Sequence, residues 1–98
     1  MMMEIDQAVK ALTALSQETR LQVCTLLKEA GEGGMTAGDI SLALGVAQNT
    51  LSFHLSHLEN AGLVNKRRQG RFIIYSHNAR TIDNLILYLA QTCRQAPA

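Results

Sequence analysis

The sequence predicts a mainly α-helical fold with one β-hairpin, in the order α-α-α-α-β-β-α. Apolar residues recur every three or four positions through residues 8–58 and again through residues 82–93, a spacing typical of helices with one buried face. After Gly62 the spacing changes, because residues 72–75 are aromatic or β-branched and follow a Gln-Gly pair, as in a β-hairpin. A chain of 98 residues has the size of one domain, so a single domain is predicted over residues 1–98.

Local start and stop signals define the first two helices. The first helix is predicted over residues 6–15 from the spacing of its apolar residues. Ser16 is expected to cap the second helix, with Glu18 in the first turn, where the helix dipole favours an acid. Cys24 and Leu27 lie on the predicted inner face of this helix, and the glycines between residues 31 and 34 end it.

The third and fourth helices are predicted to lie close together. Thr36 is a capping residue with Asp39 at the third helical position, and Gly45 ends the short third helix. The fourth helix is predicted over residues 47–61, with Gly62 as a left-handed residue at its end. Its inner stripe consists of Leu51, Leu55 and Leu58. Two helices joined by a short turn that contains glycine are typical of a helix-turn-helix unit.

The hairpin and the last helix complete a winged helix-turn-helix. Strands predicted over residues 63–68 and 71–76 flank the turn Gln69-Gly70 and form the wing. The last helix is predicted from about residue 80 to residue 95, with an inner stripe of Ile82, Leu85, Ile86, Leu89 and Cys93. Apolar residues cover much of its remaining surface, and 47% of the whole chain is hydrophobic, so a second subunit is expected to bury this helix.

A basic cluster lies in the predicted wing. The net charge of only +1 excludes a uniformly basic protein that coats nucleic acid. However, four cations fall within six residues: Lys66, Arg67, Arg68 and Arg71. Such a wing contacts the backbone or the minor groove of double-stranded DNA, where cations displace counterions. The alternative is an edge hairpin kept soluble by its charges, but the lack of any acid between residues 66 and 71 disfavours it.

Short hydrogen-bonding side chains lie at the start of the fourth helix, opposite its apolar stripe: Gln48, Asn49, Thr50 and Ser52. In a helix-turn-helix, this end of the second helix reaches base edges in the major groove. Gln and Asn can pair with adenine, whereas Thr and Ser can donate to bases or phosphates. The alternative is that polar residues simply favour helix N-termini. The adjacent turn and the basic wing favour DNA.

Four further side chains near this region have less specific signals. Phe53 is predicted beside Ser52, either against a thymine methyl or sugar or partly buried. His54 is expected to contact the groove or a phosphate, and His57 to be solvated, because their spacing of three differs from the spacing of four in a helical metal pair. His77 is expected at the surface of the wing end. No metal and no other cofactor are predicted.

Several other classes of protein are disfavoured. No apolar run approaches the ~18 residues of a membrane helix, and acids early in the chain argue against a signal peptide. Two cysteines are too few for a secreted disulfide scaffold, so a cytoplasmic protein without membrane contact is expected. The sequence has no carboxylate pair, nucleophile elbow or phosphate loop, which disfavours an enzyme. The main alternative is a winged helix that binds other proteins without reading DNA, but such modules usually lack the polar helix face and the wing cations.

Four stretches of the chain resemble the ArsR/SmtB family of bacterial metal- and stress-responsive repressors. They are residues 14–21, ALSQETRL; residues 37–45, which begin AGDI and end LG; residues 50–64, TLSFHLSHLENAGLV; and residues 70–75, GRFIIY. The resemblance implies a homodimer joined through its first and last helices and bound to an inverted-repeat operator. It also implies that an effector releases the DNA.

The resemblance leaves the effector open. Residues 33–38 lack the Cys-x-Cys core of the family's arsenite sensors, and His77 and Asp83 lack the second pair found in its zinc sensors. Some members carry a redox or persulfide pair of cysteines on the second and last helices, and others bind trivalent arsenic near the C-terminus. Cys24 and Cys93 lie at similar places, which implies a thiol-reactive or arsenical inducer. The alternative is that both are small hydrophobic residues on inner stripes.

Overall fold

The computed structural model describes residues 3–94 of the chain. Within that range the elements are α1 (Ile5–Leu15), α2 (Glu18–Ala30), a 3-10 turn (Gly31–Gly33), β1 (Met35–Thr36), α3 (Ala37–Leu44), α4 (Gln48–Asn60), β2 (Val64–Gln69), β3 (Phe72–His77) and α5 (Ala79–Thr92). The predicted helical fold with a β-hairpin wing is confirmed. The last residue of the predicted final helix, residue 95, lies outside the described part. None of the described helices is long and apolar enough to span a membrane.

The start of α2 differs from the prediction. The side chain of Gln17 accepts the backbone N–H of Arg20 at 2.9 Å and caps the helix. Ser16 instead ends α1, where its hydroxyl donates to the Thr13 carbonyl at 2.7 Å. The expectation for Ser16 was wrong because Ser16 is the C-cap of α1, and the next residue, Gln17, supplies the oxygen that the first turn of α2 requires.

Helices α3 and α4 form the predicted helix-turn-helix. The Thr36 hydroxyl accepts the Asp39 N–H at 3.1 Å, as expected of a cap. Gly45 ends α3 in the left-handed conformation, with φ 66°. After α4, Gly62 has φ 75° and the N–H of Leu63 donates to the Leu58 carbonyl at 2.9 Å, which closes the helix with a Schellman motif. These signals are local, so the sequence located both helices to within one residue.

The three strands pair antiparallel in the order β1-β3-β2. Gln69 pairs with Phe72, so the hairpin turn is Gly70-Arg71, one residue later than predicted. Gly70 has φ 62°, the positive value that the first residue of a type II′ turn requires. Strand β1 was not predicted, because two residues are too few to show an alternating pattern.

Most of the buried residues form one cluster between α2, α3, α4 and the base of the wing. Its largest fully buried side chains are Val23, Leu27, Ile40, Leu51, Leu55, Leu58, Leu63 and Val64. The predicted inner stripe of the fourth helix is therefore confirmed. A smaller cluster of Ala8, Ala11 and Leu85 joins α1 to α5. The first cluster fixes the helix-turn-helix to the wing, and the second leaves one side of α1 and α5 outside the core.

Large apolar side chains on that side remain exposed in the single protomer. They are Ile5, Val9 and Leu12 on α1, and Ile86 and Leu87 on α5. The predicted inner stripe of the last helix is thus only partly correct, because Leu85 is buried whereas Ile86 and Cys93 are exposed. Exposed apolar residues concentrated on two neighbouring helices are typical of a protein-protein contact.

Candidate nucleic-acid interface

The outward side of α4 carries polar groups at its N-terminal end. Gln48, Asn49, Thr50 and Ser52 are exposed, as predicted, while the leucine stripe of the same helix is buried. The Thr50 N–H donates to the Asn49 side chain at 2.9 Å, and Ala47 before the helix has no side-chain acceptor. The first turn therefore presents amides, hydroxyls and the positive end of the helix dipole on one surface, a combination suited to DNA.

Phe53 lies at the edge of this outward side and is 59% exposed. Its ring packs edge-on against His57, with 4.6 Å between the ring centroids. The Arg20 guanidinium lies 5.9 Å from the centre of the same ring. The aromatic ring is therefore supported from within the protein while much of it remains accessible, and its contact with a thymine methyl or a sugar stays a prediction.

The structure corrects the expected position of His54. This side chain is 8% exposed rather than outward, and its Nδ1 accepts a hydrogen bond from Nε of Arg20 at 3.1 Å. Burial, followed by the charges of Arg20 and His57, lowers the pKa of His54. Because residues 51, 54, 55 and 58 share one helix face, His54 lies on the buried stripe and cannot belong to the outward group. His57 is exposed, as predicted.

All four cations of the wing are exposed, but the first two have partners on other elements. Nζ of Lys66 lies 3.4 Å from a carboxylate oxygen of Glu59, on α4. The guanidinium of Arg67 donates to the backbone carbonyls of Glu32 and Gly33 at 3.3 and 3.0 Å. Both contacts attach the wing to the rest of the protein, and Arg67 in particular joins β2 to the 3-10 turn after α2.

The other two cations lie at the tip of the wing. Nε of Arg68 donates to the carbonyl of Gly70 at 3.2 Å, within the hairpin itself. Arg71 lies over the ring of Phe72, with its guanidinium carbon 5.7 Å from the ring centre. Both side chains have their contacts within the hairpin and keep donors available, so they are the wing cations best placed to reach a phosphate.

The two cysteines differ in environment. Cys24 is buried in the main core, and burial raises the pKa of its thiol to about 11. Cys93 is exposed at the end of α5, with its sulfur 3.7 Å from the Thr92 hydroxyl. In the single protomer the inner position is therefore confirmed for Cys24, whereas Cys93 lies on the exposed part of α5.

No group of three or more His, Cys, Asp or Glu side chains within residues 3–94 is arranged to hold a metal ion. His77, expected at the wing surface, is half-buried at the end of β3. Its Nδ1 is enclosed and has no hydrogen-bond partner. Burial follows from its position, since it pairs in register with Val64, the buried first residue of β2.

Comparisons with known proteins agree with this geometry. A family model described as a helix-turn-helix domain matches residues 15–67. The transcriptional repressor SdpR of Bacillus subtilis is 36% identical over 76 residues, which cover 78% of this chain and 81% of that protein.

Two solved structures are similar over most of their length. An ArsR-like transcriptional regulator from Rhodococcus sp. RHA1 superposes with a TM-score of 0.80 at 26% identity, over 89% of this chain and 79% of that one. The homodimeric winged helix-turn-helix DNA-binding domain Mb0332 from Mycobacterium bovis, a possible ArsR-family regulator, gives a TM-score of 0.72 at 31% identity, over 91% and 79% of the two chains. These relatives are named as regulators of transcription rather than as enzymes. The chain therefore belongs to the ArsR/SmtB family of winged helix-turn-helix transcriptional regulators.

Proposed function

We propose that this protein is a cytoplasmic transcriptional repressor that binds an inverted-repeat operator as a homodimer and is released by an effector. The observation that carries the proposal is the exposed polar end of α4 in the same protomer as a wing with four exposed cations. This combination disfavours the alternative, a winged helix that binds other proteins without reading DNA. Such a module has no use for base-reading side chains beside phosphate-binding ones.

In this proposal the N-terminal turns of α4 read the major groove. Gln48 and Asn49 can each make a bidentate contact to adenine, and Thr50 and Ser52 donate to bases or phosphates. Phe53, supported by His57 at the edge of the helix, packs against a thymine methyl or a sugar. His54 is left out of the interface because it is buried.

The wing supplies sequence-independent affinity. Arg68 and Arg71 at the tip contact the backbone or the minor groove. Lys66 and Arg67 add positive charge from the base of the wing, where internal partners already hold them. The wing therefore strengthens binding to all sequences alike, while α4 selects among them.

The exposed apolar sides of α1 and α5 form the dimer contact in this proposal. Burying them would remove Ile5, Val9, Leu12, Ile86 and Leu87 from water. The similar M. bovis domain is described as homodimeric, which supports the same assembly here. A two-fold dimer would place two α4 helices in successive major grooves about 34 Å apart, as an inverted repeat requires.

The proposed effector is a thiol-reactive or arsenical compound, and it would meet Cys93 first. Cys93 is exposed, whereas Cys24 is buried with a pKa raised to about 11 and so remains a protonated thiol at neutral pH. Cys24 can join the reaction only after the main core opens locally. The test is to measure operator release by persulfide, peroxide and arsenite for wild type, Cys24→Ser and Cys93→Ser.

The central experiment measures binding to the DNA upstream of the protein's own gene. Fluorescence anisotropy would follow the labelled fragment, and a scrambled fragment of equal composition, between about 50 and 200 mM salt. We expect tighter binding to the natural fragment and a steep linear fall of log affinity with log salt. Salt-independent binding, or no binding to any genomic fragment, would overturn the proposal and favour a protein-binding module.

A further inference from the structure

Arg20 and His54 are the buried polar or charged residues within residues 3–94. Arg20, in the first turn of α2, is 9% exposed and donates from Nε to Nδ1 of His54 at 3.1 Å. The backbone N–H of Arg20 is itself bound by the Gln17 side chain at 2.9 Å. A buried, directional contact thus runs from the capped start of α2 to the middle of α4.

We propose that Arg20 is a positioning residue for α4 and that it holds this helix in its DNA-binding orientation only while His54 is neutral. This inference rests on the proposed function. Neutral histidine has one nitrogen that accepts and one that donates. Because Nδ1 accepts from Arg20, the proton of His54 lies on Nε2. A second proton on Nδ1 would replace the acceptor with a donor and place two positive charges side by side in the interior.

The contact restricts the orientation of α4 more narrowly than the leucine packing around it does. Leu51, Leu55 and Leu58 bury α4 against the core, but apolar contacts are non-directional and permit small rotations of a helix about its axis. A hydrogen bond between buried groups has a narrow range of angles. His54 directly follows Ser52 and Phe53 in the chain, so a rotation that relieves repulsion at His54 also moves these outward side chains.

Two charged groups face His54 and oppose its protonation. Arg20 on α2 and His57 on α4 itself both act on His54, and with burial they lower its pKa. The charges of the other packed helices and strands are directed elsewhere. Asp6 and Lys10 of α1 line a groove with His57, Lys66 of β2 is paired with Glu59, and Asp39 of α3 is exposed at the start of its helix.

The sign of the pH effect follows from this shift. The pKa of His54 in the folded protein is below its ordinary value of 6.5. Above pH 6.5 the histidine is neutral and the contact is intact. As the pH falls below 6.5 and passes the lowered pKa of His54 in the folded protein, protonation breaks the contact.

The test measures operator affinity of wild type, His54→Asn and His57→Asn at pH 7.5 and at a lower pH, the lowest at which circular dichroism shows all three proteins folded. The Asn oxygen can occupy the place of Nδ1 as an acceptor, and it does not titrate. We expect operator affinity of wild type to fall about tenfold or more at the lower pH, as for the loss of a hydrogen bond to a charged group. His54→Asn should bind the operator like wild type at pH 7.5 and should not lose affinity at the lower pH. His57→Asn should lose affinity at the lower pH as wild type does. Circular dichroism at both pH values confirms that each protein is folded.

A flat profile for wild type, or a fall that His57→Asn abolishes and His54→Asn retains, would overturn the inference. Long-range ¹H–¹⁵N spectra of the free protein test the contact without DNA, and the expected result is the Nε2–H tautomer of His54 at pH 7.5. An Nδ1–H tautomer would overturn this inference alone. Absence of operator binding at both pH values would instead overturn the repressor proposal, and the role of Arg20 in DNA binding with it.

Discussion

Replacing Ile86 with alanine tests the proposed dimer contact directly. Ile86 is 61% exposed in the protomer, so most of its side chain remains to be buried by a partner. Full burial of an Ile side chain contributes about 1.5–3 kcal/mol, and the share lost in Ile86→Ala is therefore about 1–1.5 kcal/mol per copy. A two-fold interface contains the residue twice, so Ile86→Ala should weaken the association free energy of the dimer by about 2–3 kcal/mol. The dimer dissociation constant should rise roughly 30- to 150-fold.

Sedimentation equilibrium measures this constant, and circular dichroism shows that the protomer fold is retained. Leu42→Ala is the matched control, because Leu42 is 84% exposed but lies on α3, away from α1 and α5. We expect Leu42→Ala to sediment like wild type. If Ile86→Ala leaves the dimer unchanged, or if Leu42→Ala weakens it as much, the exposed sides of α1 and α5 do not form the dimer contact.

Three further predictions concern the interface, the thiols and the glycine before β1. Gln48→Ala should change the preferred operator sequence, with a loss of about 1–3 kcal/mol of binding free energy at one base position. Arg71→Ala should weaken binding to all sequences alike. Equal effects of the two changes on a panel of single-base operator variants would contradict this division. In the folded protein one thiol should react readily with a maleimide at pH 7.5, and Cys93→Ser should abolish that reaction while Cys24→Ser should not. Gly34→Ala should lower the free energy of unfolding in urea by more than about 1 kcal/mol, because the position has φ 68° and an added Cβ would lie 2.7 Å from a methyl group of β3. An unchanged urea midpoint of unfolding would contradict this prediction.

Features that depend on neighbouring residues in the chain were predictable from the sequence. The cap at Thr36, the left-handed glycines at 45 and 62 and the leucine stripe of α4 each rest on contacts within a few residues. The order of helices and strands follows from such signals. The hairpin turn lies one residue later than predicted. Both Gln69-Gly70 and Gly70-Arg71 place the glycine in the turn, and only the strand register distinguishes them.

Features that depend on tertiary contacts were missed. The contact between Arg20 and His54 joins residues 34 positions apart, and no local pattern in the sequence indicates it. The helical spacing did contain a partial signal, since His54 falls on the same face as Leu51, Leu55 and Leu58. A histidine on a leucine stripe is more consistently interpreted as a buried residue with a polar partner than as an outward one.

The internal use of cations also changes what the charge of the wing means. Arg67 donates to two backbone carbonyls and Lys66 pairs with Glu59, so these two side chains help to set the position of the wing. If all four wing cations of each protomer displaced counterions, the dimer would have eight such cations, and the slope of log affinity against log salt concentration would be about −7. Arg68 and Arg71 alone would give a slope of about −4. A measured slope near −4 would mean that half of the basic cluster positions the wing and half contacts DNA. A slope near −7 would require Lys66 to release Glu59 and Arg67 to release its carbonyl partners on binding. Arg67→Ala would then reduce the slope by about 2 per dimer.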